Sequence, residues 1–293
     1  MSDKLTQLCE EFTPGNTGVA VIFLPGLQGS MLEMGSIPKM IKSLGHSSCV
    51  PRIEGYSAKS GFDSFDMWLS QLDQVVNLLL EEHEQVAIVG LSMGATLAIA
   101  YEADYQKNIP VVALSPVFAF DGWSVPWYYS LLYLVFKLGF INWHYKESEP
   151  YGLRNPEVRR RVAKQVLEQE TTEVGSASLS AKHLYQALRL IRFSKKILPE
   201  FKADILIISA IDDDVVAPHT IDWLSKTISS GTCQLIWLGG SYHIITLDNE
   251  REIVINETVE FLQGAFSKLG GILKYSEEAK ELIIRNRVIE QII

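Results

Sequence analysis

A run of apolar and β-branched residues, VAVIFLP at 19–25, is stopped by Pro25-Gly26. Such a run, bounded by a turn signal, predicts a strand buried on both faces. From Met34 to Leu44 the apolar residues fall at 34, 37, 40, 41 and 44, which is helical spacing. Trp68, Leu69, Leu72, Val75, Val76 and Leu79 repeat it across 65–80. QVAIVG then predicts a strand, MGATLAIAYEA a helix and IPVVALS a strand. After a long interval the rhythm returns, with ADILIISA as strand, HTIDWLSKTI as helix and CQLIWLG as strand. A helical stretch over 250–262 can turn Ile253, Val254, Val259 and Phe261 to a core. Alternating buried strands and helices predict an α/β fold, a doubly wound and mostly parallel sheet.

Residues 116–202 break the alternation. They hold no convincing strand but several helical stretches, among them PEVRRRVAKQVLEQE and SAKHLYQALRLIRFSKKI. This predicts a helical cap inserted between two sheet strands, with 1–115 and 203–266 as the core around it. The remaining 267–293 predict a helical tail in which Ser276 caps an amphipathic helix. Packing on the domain and self-association are both open roles for it.

Composition narrows the function classes. Of 293 residues 47% are hydrophobic, enough for a large core, and the net charge of −9 argues against nucleic acid as a partner. Cys9, Cys49 and Cys233 are too few and too scattered for a disulfide framework or a zinc site, so the expected compartment is a reduced, cytoplasmic one. The N-terminal stretch lacks the apolar segment of a signal peptide. The aromatic-rich uncharged run 122–136 is 15 residues, against the roughly 20 needed to span a bilayer.

The candidate chemistry begins at Gly90-Leu91-Ser92-Met93-Gly94, between a predicted strand and a predicted helix. The pentapeptide alone is a weak signal, but both flanks have the required type. Small residues two before and two after the serine permit a tight turn that exposes its hydroxyl. The same turn sets the Met93 N–H at a helix N-terminus, where it can stabilise an oxyanion. A second donor is expected from the loop after the first strand, where the Leu27 N–H can point back towards Ser92. A serine hydroxyl is a poor nucleophile until a base takes its proton. The expected chain order is serine, acid, histidine. Of the six histidines, only His243, in LGGSYHIITLD, follows both serine and acid from a loop after a strand. Asp212, Asp213 and Asp214 all lie at the C-terminal end of a predicted strand, so position alone does not choose among them.

Taken together, GLSMGA, IDDDVVAP and GGSYHIITLD resemble the α/β-hydrolase superfamily, most of all its bacterial carboxylesterase and monoacylglycerol-lipase branch. The resemblance spans roughly 19–263 and is weaker in the cap. It implies Ser92 as nucleophile, Asp213 as acid and His243 as base, with the backbone N–H groups of Leu27 and Met93 as oxyanion hole. Asp213 is selected because the family's acid stands two residues before an apolar pair, here Val215-Val216, followed by Pro218. Two departures stand out. Pro25-Gly26 replaces the family's usual His-Gly, and EGYSAKSG replaces its Gly-His-Gly after the second strand. Both leave the triad intact, and the first implies different hydrogen bonding in the oxyanion loop with the Leu27 N–H kept. A serine at the elbow sets the chain apart from haloalkane dehalogenases and epoxide hydrolases, which use aspartate there.

The expectation is therefore a serine esterase acting on small-molecule or lipid esters with an apolar acyl group, needing no metal or organic cofactor. Acyl transfer or thioester hydrolysis would use the same triad, and a non-catalytic ligand binder is the rival from another class. Eleven of the chain's aromatics fall within 118–145. They are expected to pack the cap, to line an acyl tunnel through Trp123 and Trp127, or to make peripheral membrane contact.

Overall fold

The computed structural model describes residues 2–57, 60–126, 129, 131–146, 149–168, 171–172, 175–176 and 178–268. Helix α1 (Ser2–Leu8) leads into strand β1 (Cys9–Thr13), followed by β2 (Val19–Leu24), α2 (Ile37–Ser43), β3 (Ser47–Pro51), α3 (Phe65–Glu82), β4 (Gln85–Leu91), α4 (Met93–Tyr105) and β5 (Val111–Leu114). Then come α5 (Leu132–Lys137), β6 (His144–Lys146), α6 (Pro156–Glu168), β7 (Thr171–Thr172), β8 (Gly175–Ser176), β9 (Ser178–Ser180) and α7 (Ala181–Ile197). The chain resumes the sheet with β10 (Ile205–Ala210), α8 (Pro218–Thr227), β11 (Cys233–Leu238) and α9 (Arg251–Lys268).

Seven strands form one sheet in the order β1-β3-β2-β4-β5-β10-β11. Only the edge strand β1 is antiparallel; the others pair in parallel. The order reverses between β2 and β4, so the β2 and β4 loops open side by side at the C-terminal edge. That is where open α/β sheets place ligands.

The uninterrupted apolar strands reflect burial on two faces. Along β2, Ala20, Ile22 and Leu24 pack with α3, α4 and α7, while Val19, Val21 and Phe23 pack with α2 and α9. All six predicted apolar positions of α3 are buried, Trp68 fully. Removing an aromatic side chain of about 150–250 Å² from water contributes about 4–6 kcal/mol.

Several expectations are corrected. Ile253 is 42% exposed, whereas Val254, Val259 and Phe261 are buried as expected. The expected helix over 34–44 begins only at Ile37, because Met34 closes a 3₁₀ turn (Met31–Met34) and Gly35 takes a positive φ of 59°. Strands β1 and β3 were not expected. The serine-rich SSCVP of β3 lacks an apolar pattern, and its buried Ser47 hydroxyl is satisfied by the Gly15 N–H and the His83 ring. Cys9 and Cys49, far apart in sequence, lie side by side between β1 and β3 with their sulfurs 2.6 Å apart.

The interval between β5 and β10 is not purely helical. Strand β6 pairs with β9 and β7 with β8, each antiparallel and only two or three residues long, too short for alternation to be read. Helix α7 returns to the sheet, where Ala187, Leu190 and Ile191 join the core of α3 and α4. Leu153 and Val162 are likewise fully buried, in the core on the opposite face. The expected tail helix lies outside the described residues beyond 268. Among the described residues no helix is long and apolar enough to cross a membrane, and no group of side chains has a metal-ligating arrangement.

Candidate active site

The elbow after β4 has the geometry its glycines predict. Ser92 sits at φ 58° and ψ −119°, a region costly to a residue with a side chain, at about 1–3 kcal/mol. A Cβ at Gly90 would overlap the backbone of Gly94 and Ala95, and one at Gly94 would overlap the carbonyl oxygens of Leu24 and Pro25. The first helical turn of α4 therefore lies directly against the end of β2. Gly94→Ala is expected to push α4 off that strand and cost at least tenfold in activity together with thermal stability; a paired melting curve and esterase assay checks it.

His243 reaches the serine from the loop after β11, with Nε2 2.8 Å from the Ser92 Oγ. Its Nδ1 lies 2.8 and 3.0 Å from the two carboxylate oxygens of Asp213. Asp213 is buried, and its Oδ1 also accepts the backbone N–H groups of Val215 and Val216 at 2.8 and 3.0 Å. These bonds fix the carboxylate plane and leave the ring N–H of His243 as its remaining partner. The serine, histidine and aspartate thus form one continuous hydrogen-bonded chain. The other described histidines are held elsewhere: His46 by Thr17, His83 by Ser47, His183 by Ser180 and His219 by Asp121, while His144 lies on β6.

The three aspartates do three different things. Asp212 is exposed and pairs with Arg154 at 3.0 Å. Asp214 was expected to stay hydrated, but it is buried, and its Oδ1 accepts the backbone N–H of His243 at 3.3 Å. Burial pushes the Asp214 carboxyl up, an effect countered in part by the neighbouring His243. Sequence reading missed Asp248, which lies five residues after the histidine. It is fully buried, and its carboxylate accepts the N–H groups of Arg154, Asn155, Tyr242 and Asn249. It ties the histidine loop to the segment before α6. The aspartate of the resemblance motif was the available signal.

On the other side of Ser92, the loop after β2 carries Gly26 and Leu27. The altered residues here bond to one another. The Tyr56 hydroxyl donates to the Pro25 carbonyl at 2.6 Å, and Gln28, at φ 58°, donates its backbone and side-chain N–H groups to the carbonyls of Tyr56 and Ser57. The EGYSAKSG loop therefore braces the PG loop directly. The backbone N–H groups of Leu27 and Met93 have no hydrogen-bond acceptor among the described residues, and both residues face the same cavity as Ser92.

That cavity, of about 230 Å³, has Ser92 and His243 on its floor. Val117, Phe120, Val125, Tyr129, Leu184 and Ala187 supply an apolar wall. Trp123 is not part of it. This indole is 60% exposed, donates to the Asp212 carbonyl at 3.0 Å and meets the Tyr242 ring edge-on at 5.4 Å. Trp127 lies outside the described residues. Other aromatics of the segment are packing residues: Phe136 stacks on Trp143 at 5.9 Å and contacts Tyr185, and Phe118 is buried against Trp223.

The chain is similar to known lipases and esterases. A thermostable monoacylglycerol lipase of Bacillus sp. (strain H-257) is 25% identical over 86% of this chain and 93% of its own. A carboxylesterase of Bacillus subtilis (strain 168) is 22% identical over 83% and 92%. Among solved structures, a Paleococcus ferrophilus monoacylglycerol lipase superposes with a TM-score of 0.73 at 20% identity, covering 87% of this chain and 98% of that one. A soluble variant of monoglyceride lipase from Saccharomyces cerevisiae gives 0.71 at 14% identity, covering 87% and 90%. These likenesses make the fold that of the α/β-hydrolases. The serine aminopeptidase, S33 family matches residues 45–251, a span that includes the elbow, the aspartates and His243, and the chain belongs to that family.

Proposed function

We propose that the protein is a serine hydrolase of carboxylic esters with an apolar acyl group, with Ser92 as nucleophile, His243 as general base and Asp213 as its orienting acid. The observation that carries the reading is the hydrogen-bonded chain from Asp213 through His243 to Ser92, ending at the floor of an apolar cavity. Ser92 Oγ attacks the ester carbonyl as His243 Nε2 takes its proton. The Leu27 and Met93 N–H groups receive the negative charge of the tetrahedral intermediate. The imidazolium, held by Asp213, then returns the proton to the departing alcohol. Water deacylates the enzyme through the same base.

The monoacylglycerol-lipase and carboxylesterase relatives support an ester as substrate rather than a peptide. The apolar wall, drawn largely from the segment between β5 and β10, supports reading 116–202 as a cap over a core of 1–115 and 203–266. The exposed Leu131, Leu134, Leu138 and Phe140, in the stretch after the wall residue Tyr129, favour lipid-borne esters presented from a membrane surface. A panel of 4-nitrophenyl esters of rising chain length tests the reading; no turnover on any of them overturns it. Within it, Phe120→Ala is expected to raise the relative kcat/KM for long chains severalfold while changing the acetate ester little. Equal losses at every length would mean that Phe120 only packs.

A further inference from the structure

Glu33 stands at this site without a role in the chemistry above. It is 3% exposed and lines the same cavity as Ser92 and His243. It belongs to the 3₁₀ turn after the oxyanion loop, and its Oε2 accepts the Gly26 N–H at 2.8 Å. The loop is shaped around it, since a Cβ at Gly29 would overlap the carboxylate. The backbone is pinned as well, by the Thr246 hydroxyl from the histidine loop donating to the Glu33 carbonyl. Gly26 is thus held on one side by Glu33, while the Tyr56 hydroxyl holds the Pro25 carbonyl on the other. The next N–H along the chain, that of Leu27, has no acceptor among the described residues.

We propose that Glu33 is the positioning residue of the oxyanion loop: its buried carboxyl group anchors the Gly26 N–H and thereby leaves the Leu27 N–H aimed at the developing oxyanion. A buried carboxyl group would be an expensive way to fill space, because the charged form loses its water. Here burial pushes it up to about 7, and the Gly26 and Ser30 N–H groups and His243 oppose that rise. The titratable groups facing it are His243, from the loop after β11, and Tyr56, from the loop after β3. Asp213 bonds the Nδ1 edge of the imidazole, and Asp214, which lines the same cavity, accepts the backbone N–H of His243.

The inference rests on the reading of Ser92 as an acyl-forming nucleophile, and its test separates the two. Glu33→Asp, one methylene shorter, withdraws the acceptor from Gly26 without opening the cavity that Glu33→Ala would. Both variants are expected to lose about 10²-fold in kcat on a short ester, the scale of one misplaced oxyanion donor, with KM within about threefold of wild type. Affinity for an alkylboronic acid, which forms a tetrahedral adduct on the serine, should fall in parallel. Glu33→Gln, whose amide oxygen can take the Gly26 N–H, should keep kcat within a few fold. The acid limb of its kcat/KM profile should move to lower pH to the extent that the Glu33 carboxyl, pushed up to about 7, is ionised beside the imidazole there. Wild-type kcat and boronate affinity in Glu33→Asp would overturn the proposal, as would a loss confined to KM. If Glu33→Ala fails to fold, the Asp and Gln pair decides. Failure of wild type to react with a fluorophosphonate would instead remove the serine-hydrolase reading itself.

Discussion

Ser92→Ala should abolish covalent labelling by a fluorophosphonate and lower ester turnover by about 10⁶ in a protein that still folds. The size follows from the division of labour at the elbow. Among the described residues the Ser92 hydroxyl hydrogen-bonds only to His243 Nε2, at 2.8 Å, so its removal breaks no other hydrogen bond. The backbone strain at φ 58° persists in alanine, so the melting temperature should stay within a few degrees of wild type. Labelling at an unchanged rate would place the nucleophile elsewhere. A large drop in melting temperature would mean that the hydroxyl serves the fold.

Asp213→Asn is expected to give the second largest loss, about 10⁴ in kcat. The amide would keep the approximate shape but lose the charge that stabilises the imidazolium, and could present N–H groups where His243 Nδ1 and the Val215 and Val216 N–H groups now need an acceptor. His243 would then favour the wrong tautomer for taking the serine proton. Its neighbours should differ by their own contacts. Asp212→Asn removes one exposed pair with Arg154, worth at most about 1 kcal/mol, and should leave kcat within twofold. Asp214→Asn should fall between the two, because the buried Asp214 holds the backbone N–H of His243. Kinetics of the three variants on one ester, with circular dichroism as a folding control, orders them. A loss at Asp212 or Asp214 larger than that at Asp213 contradicts the assignment.

The parts legible in the sequence were those with a strong local signal. The apolar runs of β2, β4, β5 and β10 and the period of α3 are imposed by burial on the sheet's two faces. The serine was legible because a tight strand-to-helix turn restricts residue types on both sides. Long-range pairing left weaker traces. Strand β3 is built from serines whose partners, Gly15 and His83, are distant in sequence. The burial of Asp214 depends on a loop 29 positions away. Trp123 was misplaced for a related reason. Aromatic density marks a segment, but the direction of one indole depends on its partner, here the Asp212 carbonyl. Glu33 carried no signal at all, because a lone glutamate in a short turn reads as a solvated residue until the loop is seen to close over it.

The Asp248 carboxylate gathers N–H groups from Arg154 and Asn155 as well as from the histidine loop, and Leu153 and Val162 sit in the core beneath the sheet. Residues 151–162 therefore belong mechanically with the His243 loop, although they lie in the middle of the segment that interrupts the sheet. Modular exchange would have to respect that. A chimera that swapped the whole of 116–202 for a relative's segment would carry off half of the histidine's scaffold along with the apolar wall. Splicing within 116–149 alone would change what the cavity accepts and leave His243 where it stands.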